Sequence, residues 1–446
     1  MAFPIIGGSQ SGGYLIDNSL RFNDGDSASL TKTFSGDGNR KTFTWSGWVK
    51  KGNNGLNEIL FASADTDNTP QTIFNFDSAD RLSFFDSTSN AEVNTNNLFR
   101  DVSAWYHILL SVDTTQSTAS NRIRFYVNGN EVSYNTTTYP SQNTDFSIND
   151  ATYEHEIGGR PANNLYFDGY MAEVHFIDGT AKSPTDFGEF DEDSGVWKPI
   201  QYTGSYGTNG FYLDFSNSST LGEDFSGNDN DFTATNLSGT YDQSTDTPTN
   251  NFCLINVLDK IGAPATGQAN SNVGLTPNDL ITGTHYVSTG KWYYEAELNS
   301  GSEAFIGWLR PDVSTYTGNT FQQAGSLLYY SNNGSRYKDG DGGGSYGASY
   351  TSGDIIGCAL NLDDNEVTWY KNNTSQGTIS ITAGNYVPCF VSGGASPVFQ
   401  ANFGGVQSFT VSSGNTDDNG YGNFKYTPPS GYLALCTKNI ATELSP

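Results

Sequence analysis

Short segments in which apolar and polar residues alternate follow one another along almost the whole chain, with turn residues between them. The clearest is Thr42–Val49, which reads TFTWSGWV. Successive side chains of a strand point to opposite faces, so this segment places Phe43 and Trp45 on one face and Trp48 on the other. The Asn-Gly pair at 128–129 favours a tight hairpin, because both residue types tolerate positive φ. The pattern predicts an all-β protein built as sandwiches or barrels.

The composition limits which folds and which binding partners we expect. A chain of 446 residues predicts two or three domains, and its 50 glycines and 14% aromatic residues suit sheets better than helices. The formal net charge of −27 repels phosphate backbones, so we expect no nucleic-acid partner. No apolar run approaches the ~20 residues that cross a bilayer, so we expect no membrane insertion. The start, MAFPIIGG, lacks the features of a signal peptide, which predicts folding in a cytosol.

The chain divides by composition into an arm, a first set of strand patterns, a polar connector and a second set of strand patterns. The predicted bounds are 1–18, 19–200, 201–250 and 251–446. The arm is either a disordered tail or a docking peptide, since Phe3, Ile5 and Ile6 are costly to leave in water. The connector is either a linker or a set of strands at the edge of the first sandwich.

Helix signals are confined to two short segments. Ser183 and Pro184 predict one helical turn, with serine as the N-cap and proline at the first helical position. At Asn251–Ile261, apolar residues recur at helical spacing, which makes this interval the one candidate for a longer helix.

No recognisable catalytic set is present, and we assign no catalytic residue. The cysteines match no zinc pattern and are interpreted as buried thiols, with a disulfide as the alternative. They are Cys253, Cys358, Cys389 and Cys436. The histidines complete no nucleophilic triad and are interpreted as single core or strand-face residues. They are His107, His155, His175 and His285.

Paired carboxylates need a separate test, because glycosidases use them. Glu189, Asp191 and Asp193 alternate, which in a strand would place neighbours about 7 Å apart on one face. The segment follows the Pro184 turn and runs into Ser-Gly, so it is interpreted as a loop. We therefore do not expect an enzyme, and a glycan-degrading activity is kept only as a remote alternative.

Several motifs of the first half resemble laminin-G-like (concanavalin A-type) domains. They are SLRFNDGDSASL at 19–30, FTWSGWVK at 43–50, WYHILLSVD at 105–113, IRFYVNGNEV at 123–132 and YFDGYMAEVHFID at 166–178. The second half resembles a SPRY domain. The matching segments are GKWYYEAEL at 290–298, AFIGW at 304–308, the stretch at 337–372 that contains GDIIGCALNLDDNEVTWYKN, VPCFVSGG at 387–394, and the closing stretch 403–439. Together the resemblances imply two tandem jelly-roll-type antiparallel β-sandwiches.

This combination of domains is similar to structural proteins of tailed bacteriophages, and the segment 187–215, which follows the first set of motifs, also resembles these proteins. The resemblance implies a virion protein that is assembled in the host cytoplasm and contacts other virion proteins. We expect a tail-fibre or appendage protein that attaches to host surface glycan or protein, as a homo-oligomer for which a trimer is favoured. The alternative is a capsid or tail decoration (cement) protein that binds only other virion subunits.

Two candidate ligand sites follow. Laminin-G-like folds often hold calcium at a rim, and Asp24, Asp26 and Asp168 supply acidic side chains on loops there, so calcium is a possible cofactor although none is certain. Asp-Gly turns also form without an ion. In the second half, tyrosines separated by Gly, Ser and Asn offer rigid contact area beside polar groups, as in antibody loops. The predicted ligand-facing residues are Tyr329, Tyr330, Tyr337, Tyr346 and Tyr350.

Overall fold

The computed structural model describes residues 13–67, 69–161, 165–312, 319–411 and 414–444. These residues form two compact units, which meet in the sequence between Thr249 and Asn250. Both units are built almost wholly from antiparallel strands, which confirms the predicted fold class. No helix in the described ranges is long and apolar enough to span a membrane. Phe3, Ile5 and Ile6, the predicted docking residues, lie outside the described residues.

The first unit contains eighteen short strands. They are β1 Ser19–Phe22, β2 Ser29–Lys32, β3 Thr42–Lys51, β4 Glu58–Ala64, β5 Gln71–Phe76, β6 Leu82–Asp86, β7 Ala91–Thr95, β8 Tyr106–Asp113, β9 Ile123–Val127, β10 Asn130–Glu131, β11 Tyr134–Thr138, β12 Glu154–Ile157, β13 Gly169–Asp178, β14 Gly188–Phe190, β15 Trp197–Pro199, β16 Phe211–Leu213, β17 Thr233–Thr235 and β18 Gln243–Ser244. Single 3₁₀ turns occupy Asp24–Asp26, Ala119–Asn121 and Pro184–Asp186.

Two large sheets make up this unit. One runs β10-β9-β8-β3-β13-β1-β18, with β16 also paired to β13, and the other runs β11-β7-β6-β5-β4-β12-β2-β17. Alternation along β3 buries Phe43, Trp45 and Val49 in the core between the sheets, whereas Trp48 faces away from it. Asn128 and Gly129 both have positive φ at the β9–β10 turn, as the hairpin signal predicted.

The connector is part of the first unit. β16, β17 and β18 pair with β13, β2 and β1 respectively, so the edge-strand alternative describes this segment and the linker alternative does not. Phe211 is fully buried in the core, with ring centroids 5.5 Å from Phe176 and 4.7 Å from Phe232. Asp246 accepts a 2.7 Å hydrogen bond from Lys50 Nζ, and both side chains are fully buried.

The second unit contains fourteen strands and one α-helix. They are β19 Ile255–Ile261, β20 Ala265–Gly267, β21 Asn272–Gly274, β22 Leu280–Gly283, β23 Lys291–Ser300, β24 Ala304–Leu309, β25 Ser326–Tyr330, β26 Arg336–Lys338, β27 Ile355–Asn361, β28 Glu366–Lys371, β29 Thr374–Ser380, β30 Val387–Ser392, β31 Val398–Asn402, β32 Leu433–Ala434 and α1 Thr437–Glu443. A 3₁₀ turn occupies Thr320–Gln322.

Two sheets also face each other in the second unit. The first runs β19-β22-β30-β24-β25-β26, and the second runs β20-β21-β31-β23-β27-β28-β29, with β32 added parallel to β23. Trp292, Trp308 and Trp369 lie in the core between them. All four cysteines of the chain are buried in this unit as thiols outside any disulfide, which confirms the first interpretation.

Of the two segments with helix signals, one forms the predicted turn and the other does not form a helix. The turn at Pro184–Asp186 is confirmed, and Ser183 and Asp186 form a capping box there. The predicted helix at Asn251–Ile261 is wrong, because Ile255–Ile261 is an edge strand paired with β22. The apolar residues do not form one buried helical face, because Phe252 and Ile255 are buried whereas Leu258 is exposed within a register shift between Asn256 and Lys260.

Candidate functional site

The outer face of the second unit's β24–β25 sheet carries a cluster of four aromatic rings. They belong to Phe305 of β24, Phe321 of the 3₁₀ turn, Tyr330 of β25 and Tyr337 of β26. We call these four residues the aromatic patch. Phe305 is buried, and the other three side chains are half-buried, so the patch reaches solvent.

Strand alternation places these rings on the outer face. In β24, Ile306 and Trp308 point into the core, so Phe305 points outward. In β25, Tyr329 points into the core and its neighbour Tyr330 points outward for the same reason. β26 pairs with β25 and brings Tyr337 opposite Leu328, which also faces outward.

Three of the rings stack in a row, and the fourth packs edge-to-face against them. Phe305 lies between Phe321 and Tyr330, nearly parallel to both, with centroid distances of 4.8 Å and 4.3 Å. Tyr337 stands nearly perpendicular to this row, 5.2 Å from Phe305 and 5.9 Å from Tyr330. Stacked and edge-to-face pairs of this kind stabilise one another by about 0.5–1.5 kcal/mol each beyond their burial. The packed cluster therefore holds its exposed rings in fixed positions.

Polar groups accompany the rings. Among the described residues, neither the Tyr330 nor the Tyr337 hydroxyl has a hydrogen-bond partner, so both are available to a ligand. Burial and the neighbouring Glu303 carboxyl raise the pKa of Tyr330, which keeps its hydroxyl protonated and able to donate. Asn332 and Asn333 are exposed in the turn between β25 and β26. Their Oδ1 atoms accept from the backbone N–H groups of Glu303 and Ser335, at 2.9 Å and 3.0 Å.

The structure corrects the predicted set of ligand-facing tyrosines. Tyr329 and Tyr350 are buried core residues, 0% and 1% exposed, and their hydroxyls bond to backbone carbonyls of Ala348 and Ala304. Tyr346 is half-buried, but its hydroxyl bonds to Gly377 O and its ring packs on Trp369. Only Tyr330 and Tyr337 of the predicted five belong to the aromatic patch.

Sequence reasoning missed Phe305 and Phe321. The signal for Phe305 was present in AFIGW, because a ring next to core-facing Ile306 must face outward. The same rule shows that the adjacent Tyr329 and Tyr330 cannot share a face. Phe321 lies in a 3₁₀ turn between strands, and no local periodicity connects it to the other rings.

The predicted calcium residues lie at one end of the first unit. Asp26 accepts from Asn23 Nδ2 at 2.5 Å, and Asp24 lies 3.5 Å from Asn53 Nδ2. Asp168 is buried, and its carbonyl accepts from Gly52 N at 2.7 Å. Within the described ranges, no three His, Cys, Asp or Glu side chains are grouped so as to hold a metal.

A buried lysine lies beside this rim. Lys51 Nζ is 2.9 Å from Asp80 Oδ1 and 3.4 Å from Glu58 Oε2, so one ammonium group contacts both acids. Burial nevertheless raises the pKa of Glu58 to about 8. Calcium binding by the three aspartates stays a prediction, in which amide and carbonyl oxygens would complete the ligand set.

The candidate carboxylates lie in a salt-bridged hairpin: Glu189 is in a strand, whereas Asp191 and Asp193 lie in the loop between β14 and β15, as predicted. Glu189 lies in β14, which pairs with β15, and Lys198 Nζ lies 3.4 Å from Glu189 and 3.2 Å from Asp191. Hydrogen bonds from Ser194 and Lys198 lower the pKa of Asp191 to about 2. A general acid needs a raised pKa, so Asp191 is unsuited to that role.

All four histidines are buried, as their interpretation as core or strand-face residues predicted. Burial lowers the pKa of His107 to about 3 and that of His155 to about 4, so both are neutral near pH 7. His107 Nδ1 accepts from Trp197 Nε1 at 3.1 Å, and its Nε2 lies 2.9 Å from Ser46 Oγ.

The chain consists of two β-sandwich domains. Both belong to types that are typically non-catalytic binding domains. More specifically, residues 22–186 match the Concanavalin A-like lectin/glucanases superfamily, in its laminin-G-like group, and residues 291–406 match the SPRY domain. The chain thus carries a laminin-G-like domain followed by a SPRY domain, as the sequence resemblance implied. The aromatic patch lies within the SPRY match.

Three solved structures are similar to part of the chain. The SPRY domain of human HERC1 is 17% identical, with a TM-score of 0.27, and the likeness covers 29% of this chain and 87% of that chain. Stonustoxin is 14% identical, with a TM-score of 0.28, over 34% of this chain and 27% of its own. The TRIM65 PSpry domain is 14% identical, with a TM-score of 0.28, over 34% of this chain and 91% of its own.

Proposed function

We propose that this chain is a non-catalytic adhesion protein whose SPRY domain contacts a surface glycan or protein of a host cell through the aromatic patch. The observation that carries the proposal is the patch itself. Three half-buried rings are held around a buried fourth, and the two tyrosine hydroxyls among them have no protein partner in the described residues. Fixed aromatic area beside unused donors is typical of recognition surfaces.

The setting that we propose is the particle of a tailed bacteriophage, on a tail fibre or another appendage. The support is the sequence resemblance of 187–215 and of the domain pair to phage structural proteins. Many copies on one particle, as trimers or other oligomers, would convert weak single contacts into firm attachment. Linking sites in this way raises avidity by about 10²–10⁴ without any new contact.

Competition for adsorption tests this proposal. Purified intact chain, added in excess to host cells, is expected to lower the adsorption rate of the corresponding phage at least fivefold. The Y330A/Y337A double variant is expected to leave adsorption unchanged. If excess native chain leaves the adsorption rate unchanged, the adhesion proposal fails.

A second candidate function, decoration of the particle, is favoured by two uncharged edge strands. β11 (YNTTT) and β29 (TSQGTIS) end their sheets, are mostly exposed and carry no charged residue. Unprotected edges of this kind can pair with a strand of another subunit. Cryo-electron microscopy of the particle separates the two functions. Density in which both edges pair with neighbouring subunits and the aromatic patch is covered supports decoration, whereas an uncovered patch at the particle surface supports adhesion.

A further inference from the structure

We infer that the aromatic patch binds a neutral carbohydrate, one or two sugar rings at a time. The inference rests on the proposed function, because it names the chemical class of the partner at the same surface. Three properties of the patch carry it: its size, its charge and its unused hydrogen-bonding groups.

The size of the patch suits a sugar better than a protein. A whole aromatic side chain offers about 150–250 Å², so three rings that are each mostly buried offer at most about 270 Å². A stable protein interface buries roughly 800 Å² on each partner. Phe305 is buried and stacks on both Phe321 and Tyr330, whereas those two rings keep part of their area in contact with solvent. An accessible ring area of this size matches the apolar face of a single sugar ring.

The charge around the patch disfavours an acidic ligand. The two basic residues that flank Tyr337 in β26 are both engaged, Arg336 by Asp341 and Lys338 by the carbonyl of Ser380 at 3.0 Å. An acidic sugar would have to displace one of these contacts, and it would also meet a chain whose formal net charge is −27. A neutral ligand meets neither cost.

The unused polar groups suit sugar hydroxyls. The Nδ2 groups of Asn332 and Asn333 donate to no protein atom within the described residues, and both amides are exposed in the turn that follows Tyr330. Together with the Tyr330 and Tyr337 hydroxyls, they form a rim of donors and acceptors beside the rings. A neutral sugar ring presents the same combination, an apolar face bordered by hydroxyl groups.

Retention on an array of neutral and acidic oligosaccharides tests the inference with the intact chain displayed on beads. We expect retention by at least one neutral oligosaccharide, changed less than twofold between 50 and 500 mM salt. Y330A/Y337A is expected to lower that retention at least tenfold, and N332A/N333A at least threefold. Tyr286→Ala, an exposed tyrosine of the same unit outside the patch, is the control and is expected to stay within twofold.

Three outcomes overturn the inference: retention by acidic sugars alone, no retention by any neutral sugar, or neutral retention that survives Y330A/Y337A in a variant with a native unfolding midpoint. If the native chain still blocks phage adsorption through the patch and protease treatment of the cells abolishes that effect, the partner is a protein. The proposed function then stands while the carbohydrate inference falls. If the chain blocks no adsorption but binds neutral sugars through the patch, the carbohydrate inference stands while the proposed adhesion function falls.

Discussion

Neighbouring tyrosines have opposite environments in β25. Tyr329 contacts Trp369 and Tyr350 in the core, whereas Tyr330 stacks on Phe305 at the surface. Two residues of one type, adjacent in sequence, therefore lie on opposite faces of the sheet, one in the core and one in the proposed recognition surface. The same division separates Tyr350 from Tyr337.

Substitution of these tyrosines is expected to separate the two roles. Tyr329→Ala removes a fully buried ring and is expected to lower the free energy of unfolding by about 3–5 kcal/mol. Tyr337→Ala removes a half-buried ring and is expected to lower it by about 1–2 kcal/mol. Urea unfolding followed by tryptophan fluorescence measures both values. Equal losses would contradict the assignment of Tyr329 to the core and Tyr337 to the surface.

A buried carboxyl in β23 makes the stability of the second unit depend on pH. Glu295 is 0% exposed and accepts from Tyr426 N, Lys425 N and the Tyr293 hydroxyl, at 2.9, 2.8 and 3.1 Å. Burial raises its pKa from 4.5 to about 7. The folded state therefore binds this proton more tightly than the unfolded chain does, so the stabilisation is complete below pH 4.5 and is lost as the pH rises through about 7.

Glu295→Gln is expected to remove this pH dependence. Between pH 5 and pH 8, the native second unit is expected to lose roughly 3 kcal/mol that the variant does not lose. Unfolding midpoints measured across that range test the difference, with Glu443→Gln, an exposed residue of α1, as the control. A native slope that persists in Glu295→Gln would show that another group titrates.

At the residue scale, the sequence predicts which way a side chain points but not what covers it. Alternation correctly buries Trp45 and Phe43. It does not show that segment 187–206 places Phe187, Tyr202 and Tyr206 over the outer face of the first sheet. Cover of this kind depends on long-range packing, for which no local pattern exists.

Among the elements, the connector has the clearest structural consequence. β16, β17 and β18 lie after residue 186, where the match to the laminin-G-like family ends. β16 and β17 nevertheless pair with β13 and β2 inside that match, and β18 pairs with β1 just before its start. The first unit consequently needs these strands to complete its two sheets.

Two phenylalanines of the connector provide a matched test. Phe211 is fully buried between Phe61, Phe176 and Phe232, and Phe211→Ala is expected to lower the free energy of unfolding by about 3–5 kcal/mol. Phe225 is 42% exposed, and Phe225→Ala is expected to change it by less than about 1 kcal/mol. Chemical denaturation of the intact variants measures both. An unchanged free energy of unfolding in Phe211→Ala would mean that the connector does not belong to the folded unit.

Regular strands were easier to predict than the irregular strand β19 and the short helix α1. Most elements follow the two-residue period, and the hairpin at Asn128 and Gly129 follows from residue type alone. The helical spacing at Asn251–Ile261 was misleading, because Leu258, one of its apolar residues, is exposed within a register shift of β19. The short helix Thr437–Glu443 was missed, since its seven residues follow a strand-like apolar run and carry no side-chain cap.

For the whole molecule, two binding-type domains on one chain favour recognition over catalysis. The aromatic patch joins residues of β24, β25, β26 and a 3₁₀ turn, so it exists only when the SPRY sheet is assembled. Of the four rings of the patch, Tyr330 and Tyr337 were predicted from the sequence. The rest depends on the strand order of the sheet, which a single sequence does not reveal.

Binding of bead-displayed chain to host cells tests whether the aromatic patch mediates attachment. Beads that carry many copies of the intact protein are expected to bind the cells. Beads that carry Y330A/Y337A are expected to bind at least tenfold less at the same density, whereas Tyr286→Ala stays within twofold of native. Binding by a natively folded Y330A/Y337A variant that equals the native level would contradict the account, because attachment would then not depend on the aromatic patch.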